Sequence, residues 1–579
     1  MDPVTVVGAG PVGLALALSL ARYEVPVVVL DERPADDADL ADRRLARTAV
    51  LRPDTAGMLE RLGCTTAEGA RWSGWRTMRR RGLVARLPFS EPDAEKEPDE
   101  TPPDGDPSAP DAPVAAPAPP GGPSPLHLPQ HALVRELRAA LAGREEVRIV
   151  PGSRVTVLQQ DADGITLRTR GENGSTWRAG YLVGCDGPRS VVRKLLGARF
   201  PGRTAVERYA VAALRTELPW PGEAVLQRSP LRGAEVTARP LPDGVWRLDW
   251  LLPPDGGLVT PEDLIGHIHD TLGAWCGEVP RYELLDTGVY AVHHRLARRW
   301  RCGRAFLAGD AAHLLGALGT QGLDEGLRDA GNLAWKLAQA WHHGASEALL
   351  DSYEAERREA VGARLRAADR ALPAVRGAGG WRTVRRVVVP GAVRSHDALL
   401  TEGHVGLGTL GEPAVHTRTP LAPAAPPAGS VPVGTPVGAP VADVPVTAPD
   451  GSAVRLRDRL DGPLLVVLVA PGTGVWERRH WLRAGLMPGL AAAVGALPVR
   501  AELLVAEGYP GAAAHTVLVV RPDGHLVAAV SGVRPAELYA CADAIRGGAP
   551  EPARETGTDL VKEPSEKAHP APREASAKR

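Results

Sequence analysis

The chain has 579 residues, long enough for two or three domains with substantial cores. Its net charge of −1 gives no general pull toward nucleic acid or an anionic membrane, so neither is expected as a partner. Five cysteines (Cys64, Cys185, Cys276, Cys302, Cys541) stand far apart with no CxxC spacing, which argues against a disulfide framework and for a reducing, cytoplasmic setting.

The first apolar run begins at Val4 with no basic run before it, so no signal peptide is expected. The apolar stretch near Leu14 is broken by Arg22 and Glu24, too soon to span a bilayer. Val4 to Val7 reads as a buried parallel strand, and Gly8-Ala9-Gly10-Pro11-Val12-Gly13 turns it into a helix carrying Leu14, Ala17 and Leu20. A second strand, Val27 to Leu30, ends at Asp31. Glycines at this spacing allow a tight turn, close approach of a pyrophosphate and close helix–strand packing, while the acidic residue binds a ribose hydroxyl. Gly8, Gly10, Pro11, Val12, Gly13 and Asp31 are therefore dinucleotide-site candidates, against a plain Gly-rich turn. The motif does not choose between FAD and NAD. Arg43, Arg44 and Arg47 follow in a polar stretch that by itself is a solvated basic loop.

Glu91 to Pro125 is Pro-rich and acidic, with no aromatic residue; it is expected to be disordered or an extended loop. His127 to Leu141, with leucines spaced by four, predicts a helix with Gln130 near its start. Strands are expected at 148–150, 154–159, 165–168 and 181–183, the last leading into Cys185-Asp186-Gly187 and a helix at 191–196. From Phe200 to Trp300 apolar and polar residues alternate, which predicts a mostly antiparallel sheet. Trp246, Trp250, Tyr290, His293 and His294 are candidates to line an aromatic site there. No HExxH, paired-Cys or GxSxG pattern occurs, so zinc and serine hydrolase chemistry is disfavoured.

Gly303 to Leu337 carries the strongest signal. A short strand, 305–308, runs into Gly309-Asp310, a Gly-bearing loop follows, and a helix starts near Leu323 with Leu327, Ala330, Ala334 and Leu337 on one face. A carboxylate at a strand end can bind a sugar hydroxyl, and a Gly-rich helix entry presents backbone N–H groups suited to an anion.

This stretch resembles the second FAD-binding motif of the flavin-dependent aromatic hydroxylases, the para-hydroxybenzoate hydroxylase group. The resemblance implies that Asp310 binds the FAD ribityl chain and that Gly322, Leu323 and Asp324 face the flavin pyrimidine. It places Arg47 near the FAD pyrophosphate and Gln130 in contact with FAD. Asp186 falls in the family's Asp-Gly motif, which is tied to nicotinamide cofactor use. The family has Pro, Gly-Gly and Asn where this chain has Ala317, Gly319-Thr320 and Asp324. An ionised Asp324 facing the reduced flavin would repel it; a first-turn Asp that caps its own helix, turned from the ring, is the expected arrangement.

Beyond Trp341 a helix over 349–358 continues the pattern. Residues 416–448 are a linker by composition, and 449–548 resemble the thioredoxin-like domain of phenol and polyketide hydroxylases, without a CxxC. Its strands are expected at 464–470 and 516–520, with a Pro-Asp-Gly turn before 526–530, and a helical region at 481–494. The expected plan is α/β: a Rossmann-like FAD-binding domain in two parts (1–199 and 301–415), an antiparallel-sheet substrate domain (200–300), the thioredoxin-like domain and a disordered tail (549–579). The implied activity is hydroxylation of a polycyclic aromatic, polyketide-type substrate through a flavin C4a-hydroperoxide, with FAD as cofactor and NAD(P)H and O2 as co-substrates, by a monomer or homodimer. Alternatives are Baeyer–Villiger insertion or epoxidation, and an FAD-bound protein without oxygenase turnover.

Overall fold

The computed structural model describes residues 1–34, 45–79, 82–89, 123–229, 234–253, 257–344, 346–376, 392–448, 450–472 and 485–548. Arg43, Arg44, the tail and all but the last three residues of the Pro-rich insertion lie outside them.

Runs of β-branched and aliphatic residues with no polar face form strands buried on both sides, as a parallel sheet covered by helices requires. Strand β1 (Val4–Val7) is such a run, flanked by β2 (Val27–Leu30), which pairs outward with β3 (Val147–Val150). On the other side of β1 lie β4 (Tyr181–Gly184), β5 (Ala305–Leu307) and an antiparallel edge, Arg301–Cys302. The direction of crossover reverses beside β1, which opens a crevice at the carboxyl ends of the strands. Gly8, Asp31, Cys185 and Ala308 each follow one of those ends. Three helices frame the crevice, α1 (Pro11–Arg22), α3 (Gln130–Leu141) and α4 (Gly322–His343), and α2 (Pro53–Arg61) packs on α4 outside it. Helices α1 and α4 touch closely because residue 326 is glycine; a Cβ there would lie 2.5 Å from Val12.

The alternating segment builds an eight-stranded sheet, but its limits differ from 200–300. Beside strands 202–215, 223–229, 234–240, 245–251 and 283–296 it recruits Gly74–Arg79 and Gly82–Pro88 at one edge and His313–Leu314 at the other. Within the same segment Pro261–Cys276 is a helix, fixed by a capping box in which Thr260 and Asp263 exchange hydrogen bonds. His127 and Leu128, expected in a helix, lie in strand Leu126–Pro129, which pairs with Thr48–Leu51. The helix begins at Gln130, where the leucine spacing becomes effective.

The last part is a second mixed sheet, in which 464–469 runs parallel to 501–506 and antiparallel to 516–520, and 516–520 pairs antiparallel with 526–531. Residues 416–448 do not behave as a free linker. Val431, Gly438 and Val441 donate backbone hydrogen bonds to Ala529, Leu526 and Gly524, so the Pro-rich chain lies along the edge that strand 526–531 leaves open. Helix Met487–Gly495 is present, whereas 481–484 lie outside the described residues. The unit is docked on α4: Trp335 and Leu349 join its apolar core, and Arg521 pairs with Glu356 and Asp523 beside buried Lys336.

Candidate active site

The crevice forms a cleft of about 590 Å³ whose walls include all the cofactor candidates of the sequence except Gly13 and Asp324. Gly8, at φ +107°, lets the chain leave β1 against β4; a Cβ there would lie 2.5 Å from the Cys185 carbonyl oxygen. Gly13 does not line the cleft; a Cβ on it would come within 2.0 Å of the Gly8 carbonyl oxygen, so it is the packing glycine. Gly10 differs from both, since a Cβ there would meet nothing within 4 Å and would project into open cleft. Helix α1 starts at Pro11 with no side chain capping it, so its first-turn N–H groups face the same space.

Asp31 lines the cleft but is partly engaged. Its Oδ2 accepts from Ala9 N–H (2.6 Å) and its Oδ1 from Arg33 N–H (2.9 Å), which holds the Gly loop in place. Spare lone pairs remain for a sugar hydroxyl. Arg47 and Gln130 are brought side by side, with Gln130 N–H donating to the Arg47 carbonyl, and both reach the cleft. Asp186 also borders it, yet its carboxylate accepts from Ser190 Oγ and from the N–H groups of Val191 and Val192, capping the short helix 191–195.

Asp310 sits opposite, on a single 3-10 turn after β5, with its side chain exposed to the cleft. The surrounding walls raise its carboxyl pKa, against the pull of His313 and Arg47. A buried network fixes this turn to α4: Asp329 accepts from Gly309 N–H, from His313 and from Arg357, and Arg357 also holds Glu325. Gln321, Gly322 and Leu323 line the cleft at the uncapped N-terminus of α4.

Asp324 does not line it. Its buried carboxylate neither faces the cleft nor caps α4; Oδ1 accepts from Arg52 N–H (3.0 Å) and Thr55 Oγ1 (2.5 Å), and Oδ2 lies 3.4 Å from Arg52 Nε. Burial raises its pKa while Arg52 draws it back. The carboxylate thus sits at the N-terminus of α2, whose own cap residue, Arg52, offers no side-chain cap. Burial lowers the Arg52 guanidinium to about 10, and it spends its two Nη groups on the carbonyls of Gly403 and His404.

Past the N-terminus of α4 a second cavity of about 190 Å³ opens toward the eight-stranded sheet. Thr48, Tyr290, Leu315, Gln321 and Gly322 line both spaces, and Tyr209, Arg239, Arg247 and His404 complete the second. Of the expected aromatic candidates only Tyr290 reaches it. Trp246 belongs to the core, Trp250 donates to Thr271, and His293 and His294 are engaged with Ala205 and Asp369. Arg239, Arg247 and His404 were not anticipated. The visible signal was a pair of charges, Arg247 and Asp249, alternating with Trp246, Leu248 and Trp250 in one strand.

The loop between the cavities, 315–321, carries two of the three departures, Ala317 and Gly319-Thr320, and Asp324 follows it in α4. Leu318 is left-handed (φ +57°), and its N–H donates to Glu207. Gly319, at φ +84°, passes so close to His404 that a Cβ would meet the imidazole at 2.5 Å. A larger cleft, about 1410 Å³, lies between α2 and the C-terminal unit, but it has no glycine cradle and its charges are already paired, as in Arg61–Asp461 and Arg328–Asp54.

The glycine cradle, two uncapped helix N-termini and a cleft-facing Asp310 fit a dinucleotide with a pyrophosphate and a ribityl chain. Residues 1–368 match the family described as FAD binding domain. The chain belongs to that family. FAD is accordingly its cofactor, and Gly10, Arg47, Gln130, Asp310 and Gly322 all line the cleft. The 3-(3-hydroxy-phenyl)propionate/3-hydroxycinnamic acid hydroxylase of Mycobacterium sp. (strain JLS) is 34% identical over 367 residues, 62% of this chain and 57% of that protein. The chain thus spans little more than half the length of the curated relatives it matches. Among solved structures, an anhydrotetracycline hydroxylase from Streptomyces rimosus is 28% identical, with TM-score 0.62, over 95% of this chain and 99% of that one. A ternary complex of aklavinone-11 hydroxylase with FAD and aklavinone shares the fold at 24% identity, TM-score 0.66, over 94% of this chain and 98% of the other. Among the described residues no helix is long and apolar enough to cross a membrane.

Proposed function

We propose that the chain is an FAD-dependent monooxygenase that takes electrons from NAD(P)H and places one atom of O2 on an electron-rich aromatic ring. The observation that carries this reading is the junction of the two cavities at the uncapped N-terminus of α4. A flavin held from Gly10 to Asp310 would present its ring system at that junction, and the second cavity would hold the ring to be oxidised beside it. Bound FAD supplies the electron transfer and the activation of O2. The chain supplies position and dryness. The α4 N–H groups favour negative charge on the adjacent ring, and buried Ala317, Leu318 and Thr320 keep water from the junction. Site residues in this reading are Gly8, Gly10, Pro11, Val12, Gly13, Asp31, Arg47, Gln130, Asp310, Gly322 and Leu323, with Asp186 acting through the helix it caps.

We infer a polycyclic aromatic, polyketide-type substrate. The similarity to the anhydrotetracycline hydroxylase supports this, since it runs through the C-terminal unit. A smaller phenolic acid is the second reading. The curated relatives favour it, and so does the cavity, which at about 190 Å³ is below the roughly 300–1,000 Å³ typical of sites for drug-sized ligands. A polycycle would seat only its reacting ring. The C-terminal unit is read as thioredoxin-like without dithiol chemistry, in a cytoplasmic monomer or homodimer whose cysteines are all free thiols.

The test is turnover of the FAD-loaded chain with NADH or NADPH, O2, and a panel of polycyclic phenols, quinones and hydroxyphenylpropionates, with products identified by mass and NMR. The expected product carries one added oxygen per nicotinamide oxidised. Nicotinamide oxidation that yields only reduced oxygen with every panel member would overturn the reading.

A further inference from the structure

The second cavity has a polarity that aromatic hydroxylation by itself does not require. Among the described residues, its charged lining side chains include two arginines, Arg239 and Arg247, and no carboxylate. Both are 7% exposed. The antiparallel register of strands 234–240 and 245–251 sets them directly opposite one another, a like-charge pairing that disfavours the sheet unless something offsets it. Asp249 offsets part of it from behind. Its Oδ2 accepts from Arg239 Nη1 (3.0 Å), and its oxygens take Arg247 Nε and Nη2, the latter at 2.7 Å. Tyr290 OH also donates to Asp249 (3.0 Å). One carboxylate between two guanidiniums leaves a positive charge over.

Among the described residues, Thr48 and His404 position this charge without neutralising it. Arg247 Nη1 donates to Thr48 Oγ1 (2.8 Å), and Arg239 Nη2 to His404 Nδ1 (3.2 Å), whose ring is stacked on Trp75. Glu207 is held by Tyr209 OH and Leu318 N–H. Arg239 Nε is buried with no hydrogen-bond partner among the described residues. A buried donor left unmade is costly, and a ligand oxygen would satisfy it. Tyr209 and Tyr290, stacked with centroids 5.3 Å apart, give the same cavity an aromatic wall.

We propose that Arg239 and Arg247 are specificity-determining residues that anchor an anionic oxygen, a carboxylate or an ionised ring hydroxyl, on the aromatic substrate. This rests on the monooxygenase reading for calling the ligand a substrate, while the anion site itself does not depend on turnover. Asp249 sets the orientation of both guanidiniums and limits their charge, so an uncharged ring of the same shape is a poor ligand.

The test is titration of the oxidised, FAD-loaded chain, without nicotinamide, following the flavin absorbance. Matched probes separate the two kinds of anion: 3-hydroxybenzoate against its methyl ester, and, at alkaline pH, 4-nitrophenolate against 4-nitroanisole. At least one anion should bind about 10- to 100-fold more tightly than its neutral partner, the range expected of a charge-assisted hydrogen bond. Arg239→Met and Arg247→Met should each erase that preference with FAD content unchanged, because Asp249 keeps the other arginine as partner. Arg239→Lys should restore part of it, and Asp249→Asn should strengthen it. The proposal is overturned if neither anion binds, if anion and neutral partner bind alike, or if the Met variants weaken both members of a pair equally. If the anions bind as described but no oxygenated product forms in the turnover assay, the monooxygenase reading fails and the anion site stands.

Discussion

Replacing Asp324 by Asn separates two roles that this residue could have beside the flavin. The structure spends its carboxylate on α2 and Arg52, not on the cleft. In Asp324→Asn the amide oxygen can still accept from Arg52 N–H and Thr55, but the amide N–H₂ faces Arg52 Nε and the buried guanidinium loses its counter-charge. Breaking a buried ion pair from one side costs about 3–5 kcal/mol. Arg52 retains two carbonyl acceptors at 2.6 Å and the lost contact is a long one at 3.4 Å, so the lower end applies, about 3 kcal/mol. That corresponds to a fall of roughly 2–3 °C in melting temperature for a chain of this size unfolding as one unit. The flavin should feel little. At an effective dielectric of about 20, a unit charge would be worth about 1.7 kcal/mol, roughly 35 mV on a two-electron couple, if it lay about 10 Å from the ring, and less beyond that. A carboxylate aimed at the pyrimidine from about 4 Å would be worth about 4 kcal/mol, roughly 90 mV. The assay pairs thermal unfolding with spectroelectrochemical titration of the bound FAD. An unchanged melting temperature together with a rise in potential near the larger value would refute the reasoning.

Gly10→Val and Asp310→Ala should each lower the FAD content of the purified chain, because one fills open cleft and the other removes a cleft-facing carboxylate; full occupancy in both would contradict the placement of the cofactor. Arg521→Met should destabilise the chain by about 3–5 kcal/mol, since it strips buried Glu356 and Asp523 of their shared cation; a denaturation curve that does not move would mean that the docking is apolar. His127 is fully buried, donates from Nδ1 to the Pro240 carbonyl and meets the Thr48 hydroxyl at Nε2, and burial lowers its pKa from 6.5 to about 3. The unfolded chain therefore binds the extra proton first, so stability is complete above about pH 6.5 and is lost as pH falls toward 3. His127→Gln should show a shallower acid loss of melting temperature than the parent chain, and parallel curves would count against this assignment.

Short-range geometry made the cofactor half legible in the sequence. A strand that runs straight into Gly8-Ala9-Gly10 needs a positive φ and a close approach at fixed offsets, and those demands fall on consecutive residues. The same holds for Gly309-Asp310 and for the apolar face of α4, whose period is visible within one segment. Tertiary structure alone decided where the charges went. Asp324 turns to Arg52, 272 residues away, because the start of α2 lies against the start of α4 and offers N–H groups that lack another acceptor. Arg239 and Arg247 face one another only because a hairpin register places them so, and His404 reaches Arg239 across 165 residues from a helix at the far end of the catalytic part. A backbone motif is written in consecutive residues because its constraint is local. A buried charge is stable only through partners that folding supplies, and no local pattern names them.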